Sequence, residues 1–165
     1  MDDHDDGSYS RAPTVEDLVR ICRSLNDAKA RYLLIGGFAV IAHGAGRTTR
    51  DIDFLVDVAP ENIERIKTAL AVLPDNAAAD LDKDDVARYA VVRIADEVIV
   101  DLLGRACGVE YDEATEDQEH LEIDGVPIPL ASKKTLIQTK KTVRPSDAAD
   151  TQFLQALIDA EEAEG

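Results

Sequence analysis

The stretch GGFAVIAHGAGRTTRDIDFLVD, Gly36 to Asp57, constrains this chain more than any other. It follows an apolar run, Tyr32-Leu-Leu-Ile35, that reads as a buried strand. Two glycines close that strand, and FAVIAH then reads as a short helix ended by Gly44 and Gly46. DIDFLV, 51–56, is a second strand. Residues i and i+2 of a strand share a face, so Asp51 and Asp53 stand side by side, about 7 Å apart along the chain, while Ile52 and Phe54 point the opposite way. One face anchors the strand and the other concentrates negative charge. Two such carboxylates repel each other unless a cation lies between them.

The remaining periodicity places that pair in a mixed architecture. Pro13 and Thr14 open a helix with Val15, Leu18, Val19, Cys22 and Leu25 on its apolar face; Thr14 is the N-cap and Asp17 the capping-box partner. Pro60 starts another helix carrying Ile63, Ile66 and Leu70. AVVRI, 90–94, and VIVDLL, 98–103, form a hairpin across a short ADE link. HLEI, 120–123, and VPIPL, 126–130, flank Asp124-Gly125, a strong hairpin signal. Two helices follow, near 132–143 and 147–161. Helices mixed with crossovers and hairpins predict an α/β (α+β) domain with a mixed β-sheet flanked by helices. Residues 13–161 are expected to form one domain, between a disordered acidic tail at 1–12 and a frayed tail at 162–165.

Asp101 is the third notable acid. It sits within VIVDLL, and buried carboxylates need a partner or a metal. If its strand lies beside 51–56, all three acids meet. Three hard oxygen donors suit Mg²⁺ or Mn²⁺ better than zinc. Singly, each acid is as well explained by an ion pair with Arg47 or Arg50, or by a cap. Together, beside a Gly-Gly turn whose amides can approach a phosphate, they favour a site.

Charge narrows the partners. Eighteen basic residues face 34 acids, a net of −16. That balance makes an extended nucleic acid an unfavourable partner. Residues 110–124 hold eight acids and read as a solvated face, whereas 131–146 hold five basic residues and no acid. Lys140 falls on the apolar stripe of its helix, three or four residues from Leu136 and Ile137. It either pairs with Asp150 or reaches a bound anion, with Asp147 or Asp150 orienting it. Cys22 reads as a small core residue, and two cysteines without CxxC imply neither disulfides nor zinc. His43 is expected to hold the loop after the short helix. No apolar run approaches the ~20 residues of a membrane span. The acidic start lacks a signal-like apolar region, so a cytoplasmic protein is expected.

The opening stretch resembles the signature of the DNA-polymerase-β-like nucleotidyltransferase superfamily: strand, Gly-Gly or Gly-Ser, about a dozen residues, then Asp-apolar-Asp-apolar. Here Gly36-Gly37 and Asp51-Ile52-Asp53-Phe54 match, with 13 residues between. It is most similar to small bacterial proteins with GG-x-A-V-x-x-H-G-x-x-R-x-T-x-D-I-D, including nucleotidyltransferase toxins of abortive-infection systems. The similarity runs from about 30 to 155. It implies a nucleotidyltransferase fold, metals held by Asp51 and Asp53, and Asp101 as the third acid, which also helps deprotonate the attacking hydroxyl. It further implies an NTP substrate, which Gly36, Gly37 and Lys140 are expected to contact; Arg47 and Arg50 either contact its phosphates or balance the carboxylates when metal is absent. Small relatives carry a Lys followed by R-P-K-D-x-x-D; here Lys140 precedes Arg144-Pro145-Ser146-Asp147-Ala148-Ala149-Asp150, with Ser146 in place of the second Lys. The expected activity is transfer of an NMP to a hydroxyl on a small molecule, a protein or an RNA end, within a toxin–antitoxin or abortive-infection pair. The competing expectation is an antitoxin or regulatory binding module on the same fold, with weak or no catalysis.

Overall fold

The computed structural model describes residues 9–165. Most of the expected acidic tail therefore lies outside the described residues. Ser10 and Arg11, also assigned to that tail, are tied down. Ser10 Oγ donates to Asp96 O at 2.6 Å, and the Arg11 guanidinium forks onto Asp17 at 2.6 and 2.8 Å.

The helices are α1 (Val15–Asp27), α2 (Gly36–Ala42), α3 (Pro60–Leu70), α4 (Asp85–Arg88), α5 (Tyr111–Ala114), α6 (Lys133–Thr139) and α7 (Pro145–Glu164). The strands are β1 (Tyr32–Ile35), β2 (Asp51–Val56), β3 (Val92–Ala95), β4 (Ile99–Leu103), β5 (Arg105–Ala106), β6 (Val109–Glu110), β7 (Glu119–Ile123) and β8 (Val126–Leu130). Among the described residues, six strands form one sheet in the order β3-β4-β2-β1-β8-β7; β5 and β6 make a separate ribbon. β2 runs antiparallel to β1 and parallel to β4, so the sheet is mixed, as predicted.

Local chemistry explains the element ends. Thr14 caps α1 through the reciprocal bond with Asp17. Pro60 occupies the first turn of α3. Asp124 and Gly125 both have positive φ in the β7–β8 turn. The largest boundary change concerns α6, which ends at Thr139 instead of continuing to 143. Pro145 starts α7 and disfavours a helical residue 144, so the chain must leave one helix before entering the next.

The alternating strand pattern sorts the sheet's two faces. Ile52, Phe54, Tyr32 and Leu34 are buried on one of them. Tyr32 meets Phe54 edge-on, with ring centroids 5.2 Å apart, and donates its hydroxyl to Asn26 of α1 at 2.8 Å. Phe54 is fully buried, as are Ile63 and Ile66 of α3. Each such side chain contributes about 1.5–3 kcal/mol. This packing fixes β2 in register and so fixes the opposite, acid-bearing face.

Candidate active site

Strand register assembles one row across the sheet. Ile35 of β1 faces Asp53 of β2, Asp53 faces Asp101 of β4, and Asp101 faces Arg93 of β3. Asp51 stands two residues before Asp53 on the same face. Carboxylate oxygens of Asp51, Asp53 and Asp101 all lie within 4.8 Å of one another. The three acids named from sequence are thus brought together.

Their proximity has an electrostatic cost. Burial first, then the charges of Asp51 and Asp101, push the Asp53 carboxyl up to about 8, against a pull downward from Lys140. Burial and Asp101 likewise raise Asp51, while Arg93 and Arg144 act the other way. The donor set is all carboxylate oxygen, with strong mutual repulsion to relieve, which fits a hard divalent cation.

The Gly-Gly turn is part of the same construction. Gly36 has φ +74°, and a Cβ there would run into the Asp53 carboxylate. A Cβ at Gly37 would lie 2.5 Å from Thr49 Oγ1. The glycines let α2 start directly beneath the acids, and no side chain caps its first turn. His43 closes α2 as expected: its Nε2–H donates to Ala131 O at 3.0 Å.

The basic residues are arranged differently from the sequence expectation. Lys140 is not on a helical stripe but forms the C-cap of α6. It is buried between Asp150 at 3.1 Å and Asp147 at 3.5 Å, so the ion pair between helices is present. Arg47 does not pair with the acid row; it binds Asp150 at 2.7 Å. Arg50 is exposed and joins no ion pair among the described residues. Asp147 also accepts from the Thr142 hydroxyl at 2.6 Å and from Arg144 at 2.9 Å. Burial alone would raise Asp147, but Thr142, Lys140 and Arg144 together hold it below the usual carboxylate range. This charge cluster locks α7 against α6 beside the acids.

Because Asp147 keeps Arg144 and Asp150 keeps Arg47, Lys140→Met is expected to cost about 2–3 kcal/mol, less than the roughly 3–5 kcal/mol of a buried pair broken outright. A melting temperature lowered by roughly 5–10 °C, read by calorimetry, is the expected result.

Arg93 is the residue that sequence reasoning missed. Its Nε and Nη2 fork onto both oxygens of Asp101 at 2.9 Å each, and Nη2 reaches Asp51 at 3.3 Å. The balancing of the carboxylates, sought in Arg47 or Arg50, comes from the edge strand. The hairpin itself held the signal, since pairing AVVRI with VIVDLL across its short turn sets Arg93 opposite Asp101. Asp117 is a smaller correction to the solvated acidic face: it accepts from the hydroxyls of Ser132 and Thr135, at 2.8 and 3.1 Å. A cavity of about 490 Å³, lined in part by Val56, Val58, Gly104 and Tyr111, lies at the far end of β2 and β4 and includes none of Asp51, Asp53 and Asp101.

A mixed sheet with a Gly-Gly turn and carboxylates on adjacent parallel strands is the arrangement of the nucleotidyltransferase fold. Two solved structures share that fold. TM1012 from Thermotoga maritima, assigned as a nucleotidyltransferase, is 16% identical with a TM-score of 0.52, over 91% of this chain and 88% of that one. The lincosamide antibiotic adenylyltransferase LnuA, solved with lincomycin bound, is 16% identical with a TM-score of 0.57, over 88% of this chain and 98% of that one. No curated protein sequence matches the chain. The family model for the nucleotidyl transferase AbiEii toxin of type IV toxin–antitoxin systems matches residues 17–141. The chain belongs to this AbiEii family of nucleotidyltransferases. The match spans the whole acid row and stops before Asp147 and Asp150. Among the described residues, no helix is long and apolar enough to cross a membrane.

Proposed function

We propose that the protein transfers a nucleoside monophosphate from an NTP to an acceptor hydroxyl, as the toxin of a toxin–antitoxin pair. The observation that carries this reading is the convergence of Asp51, Asp53 and Asp101 within 4.8 Å beside the Gly-Gly turn. Asp51, Asp53 and Asp101 would hold Mg²⁺ or Mn²⁺, which when bound stabilises charge on the attacking and leaving oxygens of an in-line displacement. The side-chain-free turn at Gly36 and Gly37 admits the triphosphate, with the amides of α2 facing its charge. Arg50 is exposed on the approach to β2 and free to meet phosphate. Lys140 acts from within the α6–α7 ion-pair cluster and lowers the negative potential at Asp53. Asp147 and Asp150 hold Lys140, and Asp150 holds Arg47, in place. A carboxylate oxygen of Asp101 takes the proton of the acceptor hydroxyl. The new O–Pα bond forms as the bond to the β-phosphate oxygen breaks, and pyrophosphate leaves.

The net charge of −16 disfavours a long nucleic acid as acceptor, which supports a small molecule, a protein side chain or an RNA end. Incubation of the protein with Mg²⁺ and each α-³²P-labelled NTP in host extract tests the reading. Label is expected to move onto one class of acceptor, with equimolar pyrophosphate. Growth is expected to stop when the chain is expressed without its neighbouring gene. Absence of transfer with all four NTPs, together with unaffected growth, would overturn the proposal.

A further inference from the structure

Arg93 sits at the open end of the acid row, on β3, the outermost strand on that side of the sheet. Its fork engages both oxygens of Asp101 and touches Asp51, two of the three groups that converge. The guanidinium therefore occupies the place of a cation in the row. Asp101 is almost fully buried, whereas the Arg93 side chain is 44% exposed. The acid is fixed, while the arginine can swing outward without disturbing the core. A planar guanidinium binds phosphate oxygens with the same fork it uses for a carboxylate.

We infer that Arg93 is an exchangeable counterion: it neutralises Asp101 and Asp51 when no metal is bound, and transfers to the triphosphate when metal and nucleotide enter together. The inference rests on the metal-site reading given above. Its consequence is coupling. A metal ion alone must displace Arg93 into water and away from both of its carboxylate partners. A metal ion arriving with a nucleotide displaces it onto the triphosphate. Each ligand therefore strengthens binding of the other, by the same factor.

The test is Mn²⁺ binding followed by electron paramagnetic resonance, without nucleotide and with the non-hydrolysable α,β-methylene analogues of ATP, CTP, GTP and UTP in turn. Wild type is compared with Arg93→Met and Arg93→Lys. Arg93→Met is expected to bind Mn²⁺ alone roughly tenfold more tightly than wild type, the scale of one charge-assisted contact. The enhancement of Mn²⁺ binding by the best analogue should shrink by a similar factor, and Arg93→Lys should fall between. Measurable Mn²⁺ binding with equal or weaker affinity in Arg93→Met overturns the inference while leaving the metal site standing. Tighter Mn²⁺ binding with unchanged enhancement overturns it as well, because the arginine then has no second partner. Failure of every variant to bind Mn²⁺ under any condition overturns both the inference and the metal-site reading.

Discussion

Asp53→Asn is expected to lose nucleotidyl transfer by about 10³-fold or more while its metal-free form melts no lower than wild type. The two effects share one cause. Burial and the charges of Asp51 and Asp101 raise Asp53 from its ordinary 3.8 to about 8. A folded-state value above the unfolded one adds stability that is complete below pH ~4 and is lost as pH rises through about 8. The same direction holds for Asp51. In chelator, then, the variant should already exceed wild type at pH 6, and by a wider margin at pH 9, once pH has passed the raised value of Asp53. With Mg²⁺ and NTP the order reverses. Wild type gains stability in proportion to the logarithm of ligand excess, and the variant gains none. Melting curves at both pH values, each with chelator and with Mg²⁺ plus NTP, read all four states. A lower melting temperature for Asp53→Asn in chelator at pH 9 would instead identify Asp53 as half of a structural pair.

Gly36→Ala should damage both the fold and the chemistry, although it adds a single methyl group. At φ +74° an alanine is strained by about 1–3 kcal/mol. Its Cβ also enters the space of the Asp53 carboxylate, and relieving such an overlap costs about 1–3 kcal/mol more. A melting temperature lower by roughly 5–15 °C is expected for a domain of this size. The overlap is relieved by moving Asp53, the less constrained partner. Displacement of about 1 Å at a reacting centre can cost about 10²-fold in rate. Gly46→Ala is the control, because no atom lies within 4 Å of its added Cβ. Equal stability and activity in the two variants would show that Gly36 is not needed as glycine.

A residue that contradicts its neighbours announces itself in the sequence, whereas one whose meaning depends on strand register shows itself only once the strands are paired. Asp51, Asp53 and Asp101 were legible because a charged residue inside an apolar strand is such a contradiction, and contradiction is a local signal. The mixed sheet was legible because the strands, the Asp124-Gly125 turn and the proline helix starts each carry their own chemistry. Arg93 was not singled out, because an arginine on an edge strand violates nothing; its meaning appears only when register sets it opposite Asp101. Arg47 and Arg50 attracted attention by nearness in sequence. Yet Arg47 reaches Asp150, 103 positions away, because α7 returns to the Gly-Gly turn. Lys140 was expected on an inward helical stripe, held either by Asp150 or by a bound anion, but that stripe assumed that α6 continued past Thr139. The short α4, α5 and β5–β6 pieces have too few residues for any period to emerge.

The row Ile35–Asp53–Asp101–Arg93 makes this protein sensitive to chain length as well as to chain chemistry. Side chains alternate along a strand, so one residue gained or lost within β2 would turn Ile52 and Phe54 out of the core and the aspartates into it. The same holds for β4. Between α2 and β2 the chain passes Gly44 and Gly46, where neither packing nor pairing counts residues so strictly. Small insertions and deletions across related genes should therefore collect in that loop. The two acid-bearing strands should keep their length even where most of their apolar residues have been exchanged.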